Sequence, residues 1–114
     1  MTRMRRSTGQ QAAASGAGGP DGRSRTVRAV VSGMVQGVGF RWSCLQEASS
    51  LGLVGSVSNL DDGTVEVLAQ GPSDDVSRLI AWLYRGPGWA RVDGVLVEER
   101  APGSLTGSAF EVAR

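Results

Sequence analysis

The sequence predicts a small α+β domain, a mostly antiparallel sheet with two helices packed on one face. Three observations carry this. Short Val-rich runs with alternating polarity are punctuated by Gly and Asp turns, as half-buried strands are. Two other segments repeat apolar residues at helical spacing. The two kinds follow one another in the order β-α-β-β-α-β over residues 26–114.

The first strand covers about Thr26 to Met34, with Val27 to Val31 as its strand-forming run. A helix follows over about Arg41 to Leu51. Phe40, Cys44, Ala48 and Leu51 recur at helical spacing, and Gly52 supplies the C-terminal stop. The second strand runs from about Gly55 to Asn59. Asp61-Asp62-Gly63 turns the chain into a third strand, about Thr64 to Gln70, where Val65, Val67 and Ala69 alternate onto one face. Ser73 is the expected N-cap of a second helix, about Asp74 to Tyr84. Its first-turn Asp74 and Asp75 suit the positive helix start, and Val76, Leu79, Ile80 and Leu83 form its apolar stripe. A fourth strand covers about Ala90 to Glu98, and a short edge strand holds Phe110 and Val112. Each helix crosses between two strands, which gives a ferredoxin-like βαββαβ sandwich. Many activities use this topology, so function has to come from a site.

Composition narrows the classes. The chain has 114 residues, enough for one modest core. Its formal net charge of +1 divides unevenly. Residues 1–25 carry five Arg and one Asp, a charge of +4, and show no apolar periodicity. They read as a disordered basic tail. Residues 26–114 carry seven Arg and ten Asp or Glu, a charge of −3. A body of that sign is not expected to bind nucleic acid. Arg3, Arg5 and Arg6 imitate the start of a signal peptide, but no apolar stretch follows them, so a cytoplasmic protein is expected. No segment is long and apolar enough for a membrane helix. Lysine and histidine are both absent. The lack of His removes His-based metal sites and Ser-His-Asp chemistry. Cys44 has no second cysteine to pair with and no His to activate it. It is expected to be a buried structural thiol.

The segment Gly33-Met34-Val35-Gln36-Gly37-Val38-Gly39-Phe40-Arg41 holds the chemistry. Glycines between a strand and a helix let backbone N–H groups converge on one point. The helix start adds its positive dipole end, and Arg41 adds a charged fork of donors. Together they suit a small oxyanion such as phosphate. The string lacks the Gly-Lys-Ser/Thr ending of a Walker loop, and its glycines are wrongly spaced for a dinucleotide fingerprint. A plain turn is the other reading of the glycines.

Val35-Gln36-Gly37-Val38-Gly39-Phe40-Arg41 resembles the signature loop of the acylphosphatase family. The likeness continues through Gly52-Leu53-Val54-Gly55, through Asn59 and Asp62-Gly63-Thr64-Val65-Glu66, and to Gly71-Pro72 and Gly86-Pro87. It covers about Thr26 to Arg114, with Asn59 standing 18 positions after Arg41. The resemblance implies hydrolysis of small acyl phosphates by a stand-alone, monomeric enzyme that needs no cofactor or metal. It implies a phosphate seat built by Val35, Gln36, Gly37, Val38, Gly39, Phe40 and Arg41, with Arg41 and Asn59 as the catalytic pair. The family commonly has a tryptophan where this chain has Ser56 and a basic residue where it has Ser58.

Two other functions compete. One is a regulatory domain that binds phosphate or acyl phosphate without turnover; related domains occur at the start of large carbamoyl-transfer maturation proteins. The other is an RNA-binding module of the same topology. The latter stacks bases on strand aromatics, and neither Val27–Val31 nor Val65–Ala69 contains one. Of the remaining residues, Gln36 is read as a loop brace and Phe40 as a core anchor beneath Arg41. Trp42 flanks the pocket or sits half exposed. Trp82 and Trp89 are expected to pack on core edges, and Asp61-Asp62 to form a solvated turn.

Overall fold

Apolar alternation sets the sheet. The computed structural model describes residues 23–113. Within them the chain forms β1 (Ser24–Met34), α1 (Phe40–Ser50), β2 (Val54–Asn59), β3 (Val65–Pro72), α2 (Ser73–Arg85), β4 (Arg91–Arg100) and β5 (Phe110–Val112). The five strands lie in the order β4-β1-β3-β2-β5. All neighbours are antiparallel except β2 and β5, which run parallel. The expected ferredoxin-like sandwich is therefore present, with the short last strand added beside β2.

Register explains which face is buried. Val27, Ala29 and Val31 of β1 pair with Ala69, Val67 and Val65 of β3, and Val57 of β2 pairs with Val67. Directly paired residues share a face, and all seven side chains are buried. The helices cover that face. α1 packs on β2 and β5, α2 on β1, β3 and β4, and the helices touch each other. Phe40, Cys44 and Ala48 enter the core from α1, and Val76, Leu79 and Leu83 from α2. Each large aliphatic or aromatic side chain buried there contributes about 1.5–3 kcal/mol. Trp82 closes one side, its ring tilted 52° against Phe40 at 5.5 Å.

Two expectations are corrected at element ends. Ser73 does not cap α2. Pro72 stands at the N-cap with extended backbone, and no side chain caps the helix. β3 runs directly into α2, and the Ser73 N–H is satisfied by the Arg23 carbonyl at 3.1 Å. Asp74 and Asp75 do occupy the first turn. The strand also starts earlier than the sequence suggests. Ser24 and Arg25, read as tail, belong to β1. Arg25 pairs across to Gly71, and its guanidinium binds the Glu99 carboxylate and, at 3.0 Å, the Ser77 hydroxyl. The rest of the segment read as a tail, residues 1–22, lies outside the described residues.

One backbone irregularity lies near the end of β1. Its register with β4 shifts between Ser32 and Gly33, where β4 carries the extra residue Asp93. Gly33 has φ 127°, and a Cβ there would lie 2.2 Å from the Arg91 carbonyl oxygen. A side chain at this position meets strain and backbone at once. Gly33→Ala should cost at least about 2 kcal/mol of stability. Urea unfolding measures this, and an unchanged midpoint would contradict the close approach.

Candidate active site

Five residues, Val35–Gly39, join β1 to α1. Gly37 and Gly39 hold left-handed φ values of 76° and 78°. Gly39 is the N-cap of α1, and its carbonyl accepts the Ser43 N–H at 3.0 Å. No side chain caps this helix, and no acidic residue lies in its first turn. Its leading N–H groups and dipole end are left for an external acceptor.

These groups border a cavity of about 270 Å³ lined by Val35, Gly37, Gly39, Phe40, Arg41, Trp42 and Val112. Among the described residues Arg41 is the one charged residue in that lining. Arg25, Arg28, Arg78, Arg91 and Arg100 each pair with a carboxylate. Arg41 has no such partner among the described residues. A permanently charged fork beside glycine N–H groups is complementary to a tetrahedral oxyanion.

Gln36 points elsewhere. Its Nε2 donates to the Leu60 and Thr64 carbonyls, each at 2.8 Å, and so ties the loop to the β2–β3 hairpin. The expected brace is therefore visible, with its partners. Phe40 is 1% exposed and anchors the start of α1.

Asn59 closes β2 on the same side of the sheet. Val65 pairs with Asn59 on one flank and with Val31 on the other. The ends of β1 and β2 are thus level across the start of β3. Val57 faces the helices, so Asn59, two residues on, faces them too. Its Oδ1 is buried and no donor reaches it. Buried polar atoms are nearly always bonded, so this orphan acceptor calls for an explanation.

The structure therefore gathers Val35, Gly37, Gly39, Phe40 and Arg41 around one cavity. Gln36, Val38 and Asn59 do not line it. Gln36 braces the loop, Val38 offers its carbonyl to the Trp89 indole N–H, and Asn59 stands at the neighbouring strand end.

The comparisons with known proteins agree with this geometry. The acylphosphatase family model matches residues 27–112. An acylphosphatase of Acaryochloris marina is 49% identical over 88 residues, which is 77% of this chain and 92% of that protein. The chain belongs to the acylphosphatase family. The solved acylphosphatase of Coxiella burnetii superposes with a TM-score of 0.74 at 40% identity, covering 79% of this chain and 93% of that one. That of Bacillus subtilis gives 0.73 at 36%, covering 79% and 99%. These likenesses support an enzyme, a hydrolase, over a domain that only binds.

Within this family frame the departures at Ser56 and Ser58 can be placed. They flank Val57, so both face away from the helices, on the side opposite Asn59. Ser58 pairs with Glu66, whose carboxylate is met instead by Arg28 at 2.7 Å. A charge missing at Ser58 acts on the site only at a distance, where salt screens it.

Two residues at the site escape a sequence reading. Val112 of β5 lines the cavity, although its strand is three residues long. Trp89 was expected to pack on a core edge, as Trp82 does. Instead it is 68% exposed and bonds the loop. A Trp between glycine-rich turn residues has no apolar neighbours in sequence to pack with. That was the available signal. Trp42 is 60% exposed and flanks the cavity. Asp62 accepts from the Thr64 N–H at 3.0 Å and the Thr64 hydroxyl at 2.6 Å, which holds its carboxyl below the usual range. The Asp61-Asp62 segment is the expected turn. No cluster of three or more His, Cys, Asp or Glu occurs among the described residues.

Cys44 lies in the core beneath α1. Burial, reinforced by Glu47, pushes its thiol up from 9.0 to about 12. The folded protein thus keeps the proton longer than the unfolded chain does. This contribution to stability is complete below pH 9 and is lost as pH rises from about 9 toward about 12. Native protein should resist thiol alkylation at pH 8 and react fully in denaturant. Cys44→Ala should flatten the alkaline decline in urea stability. Rapid native labelling would contradict the burial.

Proposed function

We propose that this chain hydrolyses small acyl phosphates to carboxylate and inorganic phosphate by direct in-line attack of water. The observation that carries this is the Arg41 guanidinium, without a carboxylate partner among the described residues, at a glycine-lined cavity on the start of α1.

The chemistry fits the residues. A carboxylate leaving group is the conjugate base of an acid of pKa about 4–5, near that of Asp or Glu side chains. It departs unprotonated, so no general acid is required, and none is needed from a chain without His. Phosphoryl transfer then rests on positioning and on stabilising charge. Loop N–H groups and the Arg41 fork hold the three phosphoryl oxygens. These donors oppose the phosphoryl charge directly, so we propose that turnover needs no metal. Asn59 offers its orphaned Oδ1 to a water hydrogen and sets the lone pair toward phosphorus. An amide is no base, so the proton passes to the phosphoryl group.

We also propose a monomer acting in the cytoplasm. β4 is one sheet edge and alternates charges at Arg91, Asp93, Glu98, Glu99 and Arg100, while β5, the other edge, has three residues. Both features oppose edge-to-edge pairing. No described helix is long and apolar enough to cross a membrane.

Purified protein should release phosphate from acetyl or benzoyl phosphate in the presence of a chelator and act poorly on phosphate monoesters. Equal rates on both classes, or loss of activity in chelator, would defeat the mechanism. The two site residues should separate by role. Arg41→Gln should lose phosphate affinity together with about 10³–10⁵ in rate. Asn59→Ala should keep phosphate affinity and lose at least about 10²–10³ in turnover. Phosphate titration and single-turnover kinetics measure both. Normal turnover in Asn59→Ala would remove the water-positioning role, and normal phosphate affinity in Arg41→Gln would remove the cradle.

A further inference from the structure

We infer that Trp89 is a positioning residue, and that its indole N–H fixes the Val38–Gly39 peptide so that the Gly39 N–H faces the phosphoryl group. The inference rests on the reading of the β1–α1 loop as a phosphate seat.

The Trp89 Nε1–H donates to the Val38 carbonyl across 51 positions of sequence. That carbonyl belongs to the same peptide unit as the Gly39 N–H. The unit is planar, and no described peptide bond is cis, so the two groups point in opposite directions. Holding the carbonyl on the Trp89 side therefore turns the N–H the other way. Gly39 lines the cavity, so the way left to it is toward the ligand.

Glycine needs such a restraint. Gly39 sits at φ 78°, and without a side chain it can leave that conformation at little cost. The Trp89 ring fills the space beside it, with Nε1 and Cζ2 at 3.8 and 3.9 Å from where a Cβ would stand. The tryptophan is itself held by a short connection from α2. A Cβ on Gly86 would approach Phe40 Cε2 at 3.1 Å, so this connection leaves the helix against the core anchor. The Ala90 N–H then closes a turn onto the Pro87 carbonyl at 3.0 Å. The seat is thus held from two sides, by Gln36 to the β2–β3 hairpin and by Trp89 to the α2–β4 connection.

Trp89 is 68% exposed, so it adds little to the core. A fold role and a site role can therefore be separated. Trp89→Phe keeps a ring and loses the donor, and Trp89→Ala loses both. Inorganic phosphate is the probe. Both variants should bind it, and show kcat/KM for acyl phosphate, about 2- to 10-fold more weakly than the wild type. Their melting temperatures should stay within about 3 °C of it. In the wild type the Gly39 amide resonance should move on adding phosphate, and that movement should shrink in Trp89→Phe. Unchanged phosphate affinity and an unchanged Gly39 response in Trp89→Phe would overturn the inference. So would a loss confined to Trp89→Ala, which would assign the effect to the ring, or a loss that tracks melting temperature. A wild type that binds no phosphate would instead overturn the seat itself, and the clamp with it.

Discussion

A loop with two left-handed glycines has too many conformations open to it to hold an anion unaided. What the site depends on is therefore the restraint of residues Val35–Gly39 against the rest of the fold. Four fixed points supply it. Gly33 lets the end of β1 pass close against β4. Phe40, buried against Trp82, fixes the first turn of α1. Gln36 reaches the hairpin carbonyls, and the Val38 carbonyl is held by an indole. Each fixed point belongs to a different element, so the sandwich serves as the frame for one short loop.

The same frame explains how charge is arranged. Most described arginines are spent on carboxylates along the sheet or helix surfaces, where such pairs contribute little to stability. Among the described residues Arg41 pairs with no carboxylate, and it stands at the uncapped and acid-free start of α1. Such an arrangement does nothing for the fold by itself. It becomes favourable when an anion supplies the missing charge and accepts the idle N–H groups. Asn59 shows the same pattern on a smaller scale, a buried acceptor with no donor among the described residues.

Much of this was legible in the sequence, for local reasons. Val65, Val67 and Ala69 alternate with polar residues, and Val76, Leu79 and Leu83 recur at helical spacing, so their elements were readable within about two residues. The loop and Arg41 could be read as an oxyanion seat because glycines and a helix start lie side by side in the chain. What escaped was non-local. Arg25 is drawn into β1 by Gly71 and Glu99, far away in sequence. Ser73 lost its capping role because β3 runs directly into α2, which places Pro72 at the N-cap and Ser73 inside the helix. Asn59 was reached through family resemblance, since no spacing rule brings a strand end to a loop. Trp89 touches the site from 51 residues away, and its glycine-rich neighbourhood signals exposure but not the partner.

We propose that one loop and Arg41 hold the phosphoryl oxygens and that Asn59 stands behind the attacking water. A crystal structure with orthovanadate tests it directly, because five-coordinate vanadate imitates in-line transfer. The account predicts vanadium in the cavity beneath Arg41, equatorial oxygens on the loop N–H groups and the guanidinium, and one apical oxygen on the Asn59 side chain. Vanadate bound away from the loop, or with neither apical oxygen at Asn59, would contradict it.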